Sequence, residues 1–262
     1  MGGALGRVET ILGVMTILPV AQLHREYVCR RARAPIGVVD GDLGKAFWRG
    51  AAWSSDFVDI EGDLRPAPRL RTRMKMVWDD EALYVGVEME EPHVWGMLTE
   101  RDSVIFHDND IEVFFNPSND RLCYYEFEMN ALNTVWDLFL PRPNRDGGEA
   151  DNSWDIEGLR TAARVEGTIN DPSDVDRGWS AEMVFPWRAF GRHPGGGGAP
   201  RAGAWWKMNL SRVEWDVEWE GGSYRKIPGR REHNWSWSPM GMIDMHLPER
   251  WGVVRFSGES VG

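Results

Sequence analysis

Arg71-Thr72-Arg73-Met74-Lys75-Met76-Val77-Trp78, then Asp79-Asp80-Glu81, then Ala82-Leu83-Tyr84-Val85-Gly86-Val87-Glu88-Met89-Glu90, is the stretch that decides the fold. Its first part alternates basic and apolar side chains, the two-residue period of a strand with one face toward a core. The acidic residues break the run, and the second part resumes it, so the whole predicts a hairpin over 71–90. The same rhythm continues along the chain. Residues 110–115 (DIEVFF) run into a turn at 116–120 (NPSND) and return as 124–130 (YYEFEMN). Further strands are expected at 134–140, 159–165, 179–185 and 206–215, with one helical turn at 187–190 after Pro186. There is no βαβ rhythm and no repeat. Ten or so short strands separated by turns predict an all-β fold, an antiparallel β-sandwich of jelly-roll type in a single domain.

At 262 residues the chain is long enough to bury a full core. Its 41 acidic against 30 basic residues give a net charge of −11, which argues against a nucleic-acid partner, because phosphate binding needs a basic footprint. The cluster Arg30-Arg31-Ala32-Arg33 is too small to reverse that balance. Cys29 and Cys123 are too few for a disulfide framework and lie in no CxxC motif; they are read as buried free thiols, with a single bridge as the alternative. The apolar run at 11–23 (ILGVMTILPVAQL) is too short to span a membrane. It reads as an extension docked on the domain, or as the apolar part of a signal peptide. Residues 1–34 are accordingly set apart as an N-terminal extension and 35–262 as the domain. The location is secreted or periplasmic if the run is a signal, and cytoplasmic otherwise. Sequence alone does not give the oligomeric state.

Fifteen tryptophans, most beside a carboxylate, amide or arginine, are the strongest compositional signal. An indole face flanked by such groups suits a saccharide, whose ring has apolar C–H faces and a rim of hydroxyls. The plainer reading is aromatic core filler. The candidate surface residues are Trp136 with Asn133 and Asp137, and Trp235 with Trp237, which alternate and so share one face. Asn133 alternatively caps a turn, Trp136 alternatively belongs to the core, and Trp235 and Trp237 alternatively seal its edge.

Several pieces together resemble family 9 carbohydrate-binding modules: Val39-Asp40-Gly41-Asp42 followed by Phe47-Trp48, Val77 to Val85, and Asp108-Asn109-Asp110-Ile111-Glu112-Val113-Phe114. Gly178-Trp179-Ser180-Ala181-Glu182 and the closing 251–256 complete the set, which covers 35–256. The resemblance implies a β-sandwich that binds the ends of sugar chains between two aromatic rings and carries structural calcium. It further implies that Phe106 is the first stacking ring and that Glu112 accepts hydrogen bonds from two neighbouring hydroxyls; the alternative for Glu112 is a solvated strand-face carboxylate. The family's arginine on the next strand falls at Glu128, a reversal of charge. Its second ring falls near Met245 or His246, and its late-strand glutamine near Ser211, beside Arg212.

The expected function is therefore non-catalytic saccharide binding through Phe106, Glu112, Glu128, Asn133, Trp136, Asp137, Arg212, Trp235 and Trp237. Calcium is expected at Asp40 and Asp42 with Asp79 and Asp80, because hard cations take oxygen ligands. One alternative is a glycan-active enzyme. Glu126 and Glu128 lie i and i+2 on one strand, about 6.5–7 Å apart, and with Glu112 and Asp137 can supply the carboxylate pair that glycoside hydrolysis needs. No GxSxG, HExxH or P-loop motif accompanies them. Another is a haem-binding sandwich domain, with His93, Met97, Met245 and His246 as ligands.

Overall fold

The computed structural model describes residues 24–193 and 196–262. The run at 11–23 lies outside the described residues. Among the described residues fourteen strands form: β1 (Glu26–Arg31), β2 (Val58–Asp59), β3 (Thr72–Trp78), β4 (Ala82–Glu90), β5 (Asp110–Asn116), β6 (Tyr124–Asn130) and β7 (Val135–Leu140). They continue with β8 (Arg160–Glu166), β9 (Gly178–Pro186), β10 (Trp205–Glu214), β11 (Val217–Glu220), β12 (Ser223–Lys226), β13 (His233–Ser236) and β14 (Gly252–Ser260). The hairpin expected over 71–90 is β3–β4, in register from Thr72 opposite Met89 to Trp78 opposite Leu83. Its turn is held by Asp79, whose Oδ1 accepts the backbone N–H groups of Glu81 and Ala82. Among the described residues no helix is long and apolar enough to cross a membrane.

β11 and β12 form a separate ribbon, and the other twelve strands make one sheet in the order β7-β6-β5-β10-β14-β1-β3-β4-β9-β8, with β13 on β10 and β2 on β13. That sheet curls until its halves face each other. Phe115 of β5 and Phe127 of β6 meet Phe185 of β9, with ring centroids 4.9 and 5.2 Å apart. Trp206, Phe256, Trp187 and Trp78 interlock edge to face beside them. The result is the expected all-β sandwich, and most of the large apolar burial that drives folding lies between these two layers.

β1 is the surprise. It runs between β14 and β3, parallel to both, with Cys29 fully buried. A division of the chain at residue 34 therefore sets apart a strand from the middle of the sheet, and the antiparallel pattern is interrupted at that strand. Six residues, EYVCRR, carry too little alternation to mark it in advance. Both cysteines are free thiols, Cys29 buried and Cys123 only partly so.

The pieces of the family resemblance meet in space. Glu182 of β9, fully buried, accepts the indole N–H of Trp48 at 2.8 Å through Oε1. Its Oε2 accepts the backbone N–H groups of Asp40 and Gly41 and the Lys45 ammonium at 2.7 Å. Gly41 takes φ 78° there, and a Cβ on it would sit 2.7 Å from that of Arg164. The 39–48 segment is thus pinned across β9 by one carboxylate.

Candidate functional site

The ladder aligns a row of side chains across four strands. Ser211 on β10 is opposite Glu112 on β5, Glu112 is opposite Glu128 on β6, and Glu128 is opposite Trp136 on β7. The next row of the same face runs Phe114, Glu126, Leu138. Because strand side chains alternate, Ile111, Val113, Phe115, Tyr125, Phe127 and Met129 of the same strands face the central core instead. A cavity of about 470 Å³ opens over these rows. Its floor is Glu112, Glu126 and Glu128, one wall is Phe106 and Trp136, and Asn234, Met245 and His246 stand on other sides.

Phe106 sits on a single 3-10 turn, Ile105–His107, just before β5. Its N–H donates to Glu128 Oε2 at 3.0 Å, so the floor carboxylate also positions the ring. The Phe106 and Trp136 centroids are 6.4 Å apart with planes inclined by 33°. The Trp136 indole N–H donates to Asn152 Oδ1 at 3.2 Å. Phe106 keeps 37% of its surface exposed, and Trp136 is half-buried, so both present rings to the opening.

The floor is crowded with carboxyl groups and poor in donors. Asp110, Glu112, Glu126 and Glu128 are all buried, and Asp110, Glu112 and Glu128 each place an oxygen within 4.8 Å of the others. Asp110 Oδ1 accepts the N–H of Val213, but its Oδ2 has no partner, and neither has Glu126 Oε2. Burial pushes Glu112 up to about 7. Burial first and the Glu112 charge second push Asp110, Glu126 and Glu128 well above the usual carboxylate range. His246 shares a hydrogen bond with the Tyr124 hydroxyl, and burial holds its imidazole below the usual range. Among the described residues no lysine or arginine lines the cavity.

The family model described as carbohydrate family 9 binding domain-like matches residues 39–194. The chain belongs to this family. Among solved structures, a protein from Bacteroides uniformis named as a candidate carbohydrate-binding protein matches with a TM-score of 0.66 at 17% identity, over 89% of this chain and 99% of that one. A family 9 carbohydrate-binding module from Caldicellulosiruptor kristjanssonii in complex with cellotriose matches at 0.55 and 16%, over 90% and 95%. The same kind of module in complex with glucose matches at 0.54 and 16%, over 91% and 98%. At these identities the likeness is one of fold. No curated protein matches the chain.

Within this family 9 fold, four of the residues singled out from sequence come together: Phe106, Glu112, Glu128 and Trp136. The others go elsewhere. Arg212 neighbours Ser211 and so points through the opposite face of β10. There it is 1% exposed, paired with Glu91 at 2.9 Å and Glu214 at 2.8 Å, with its guanidinium 5.2 Å from the Trp235 ring centroid. Trp235 and Trp237 do share a face, and that face is the central core. Asn133 takes φ 63° in the β6–β7 turn, its N–H donating to Asn130 O, so its turn-capping reading is the one the geometry matches. Asp137 lies opposite Phe127, fully buried, and accepts the Arg101 guanidinium and the Ile156 N–H.

Asp40, Asp42, Asp79 and Asp80 are engaged within their own turns or by basic side chains. Asp40 takes Lys45, Asp42 takes the Gly44 N–H, Asp79 takes the Tyr84 hydroxyl, and Asp80 takes Arg31. Acidic side chains gather three oxygens within 4.8 Å at two places among the described residues, and neither includes these four. Of the haem candidates, Met245 and His246 line the cavity, whereas His93 hydrogen-bonds Tyr224 and Met97 is exposed.

Sequence reasoning passed over Glu126 as a binding residue, although its spacing from Glu128 already put both on one face. Asn234 was also missed. Its alternation with Trp235 is the signal, since a core tryptophan sends its neighbour to the cavity side.

Proposed function

We propose that the protein binds saccharide, without turning it over, in the cavity above β5, β6 and β7. The observation that carries this reading is the row Glu112, Glu128, Trp136 lying beside Phe106 at the mouth of a cavity large enough for sugar residues. Membership of the family and the sugar complexes of structures with the same fold support it. A sugar ring rests on the wall that Phe106 and Trp136 form. It does not slip between them, because carbon contacts of 3.5–4.0 Å on each side require a separation of roughly 7–8 Å, and the centroids are 6.4 Å apart. Glu112 and Glu128 accept hydrogen bonds from hydroxyls, and Asn234 donates from the rim.

The placement of the acids supports a purely binding role. Glycoside hydrolysis uses two carboxyl groups that flank the scissile bond. Here Glu112, Glu126 and Glu128 all rise from one face of two adjacent strands, beneath the ligand. Asp137 is turned away from it. The test is a glycan screen followed by calorimetric titration of wild type and Trp136→Ala, with release of reducing ends assayed in parallel. The expected result is saccharide binding that weakens about tenfold in Trp136→Ala, close to 1.4 kcal/mol, and no release. Binding that is indifferent to Trp136→Ala, or turnover that Glu112→Gln abolishes, would overturn the reading.

A further inference from the structure

We propose that the saccharide this cavity takes carries a free amine, its ammonium seated on Glu112, Glu126 and Glu128 and its ring on Phe106 and Trp136. The inference rests on the saccharide reading above and narrows it to a substrate class.

The first support is the sign of the lining. Glu112, Glu126, Glu128, Glu232 and Asp244 line the cavity, and among the described residues no lysine or arginine does. Once these carboxylates ionise the potential inside is negative, with low-dielectric walls that strengthen it. The second is an independent vacancy for hydrogen-bond donors. Glu126 is 4% exposed, lines the cavity, and leaves Oε2 without a donor. Next to Glu112 and Glu128, Asp110 Oδ2 is also buried and unpartnered. Such atoms are rare in folded proteins, because each has given up water without replacement. An ammonium brings three donors and no acceptor, which suits a lining whose acidic side chains offer acceptors. A hydroxyl brings one donor, and its lone pairs face the same oxygens unfavourably. An N-acetylated amine brings one donor, no charge and added bulk.

The third support is the wall. A cation near an aromatic face gains from the ring quadrupole, and the same rings accept the C–H face of a sugar. A bare metal ion would use neither the rings nor a volume of about 470 Å³. The raised proton affinity of the floor acids fits as well, since a cation among them restores their ionised forms.

The test is calorimetric titration at pH 6.5 with three trimers: glucosamine, N-acetylglucosamine and cellotriose. Each is run with EDTA and with calcium chloride. The glucosamine trimer is expected to bind at least tenfold tighter than the other two, with no dependence on calcium. Glu126→Gln, which keeps shape and removes charge, should narrow that preference severalfold. Equal or tighter binding of cellotriose or of the acetylated trimer overturns the amine inference and leaves the saccharide site standing. Binding that disappears in EDTA replaces the ammonium with a metal ion. No binding of any trimer by the folded protein overturns both the inference and the reading beneath it.

Discussion

Two buried carboxylate sites in this molecule look alike by burial and differ in what surrounds them. At Glu182 the side chain is closed off from water, and both oxygens are filled by the Trp48 indole, the Asp40 and Gly41 amides and the Lys45 ammonium. At Glu112, Glu126 and Glu128 the acids are almost as buried, yet the donor supply is thin, and one Glu126 oxygen has no partner. The first arrangement is complete and holds a chain segment in place. The second is incomplete and opens on a cavity. Counting donors, more than measuring exposure, separates a carboxylate that builds the fold from one that awaits a ligand.

The sharpest way to break this comparison is to make one substitution at both sites. Glu182→Ala should destabilise the protein in urea unfolding by about 1–3 kcal/mol for each N–H it leaves unpaired, the buried Trp48 indole and Gly41 amide foremost, while the half-buried Lys45 keeps Asp40. Glu112→Ala should leave the fold intact and weaken saccharide binding by roughly ten- to a hundredfold, the 1.5–3 kcal/mol typical of a hydrogen bond to a charged group. Equal destabilisation at the two positions would erase the distinction.

Smaller effects sharpen it. Carboxyl groups whose proton affinity rises on folding bind more protons in the native than in the unfolded state between the ordinary and the raised pKa. Stability then falls as pH rises through that window. For Glu112 the window runs from the usual carboxylate range to about 7, with Glu126 and Glu128 raised in the same direction. The free protein should therefore melt at higher temperature at pH 5.5 than at pH 8. Glu126→Gln should flatten the slope and gain about 1–2 kcal/mol at pH 8, because the amide donates to the neighbouring carboxylates. A steeper slope in Glu126→Gln would count against the crowded floor. Least affected is Asn133→Gly. The turn's φ of 63° suits glycine, and stability and binding should stay within about 0.5 kcal/mol of wild type by melting and titration.

Much of this was legible in the sequence because strand parity is legible. The β3–β4 hairpin, the β5 and β6 strands, and the shared face of Glu112, Glu126, Glu128 and Trp136 all follow from a two-residue period. Arg212 was misjudged by one position: Ser211, its neighbour, is the residue that faces Glu112. Trp235 and Trp237 were correctly paired on one face, but which face turns to the core depends on how the sheet curls, and that is set by packing between distant strands. The cover over the cavity side was equally hidden. Ile60, Met240, Met245, Leu247 and Trp251 close against Phe114 and Tyr124 from segments far away in the chain. That closure turns a solvated strand face into a buried acidic floor.

The most direct test uses two indole N–H groups as reporters. Trp48 donates to Glu182, and Trp136 donates to Asn152 at the rim of the cavity. In nitrogen-15 correlation spectra of the tryptophan indoles, saturating glucosamine trimer should shift the Trp136 resonance and leave that of Trp48 in place. A shift at Trp48 with Trp136 unmoved would contradict the account.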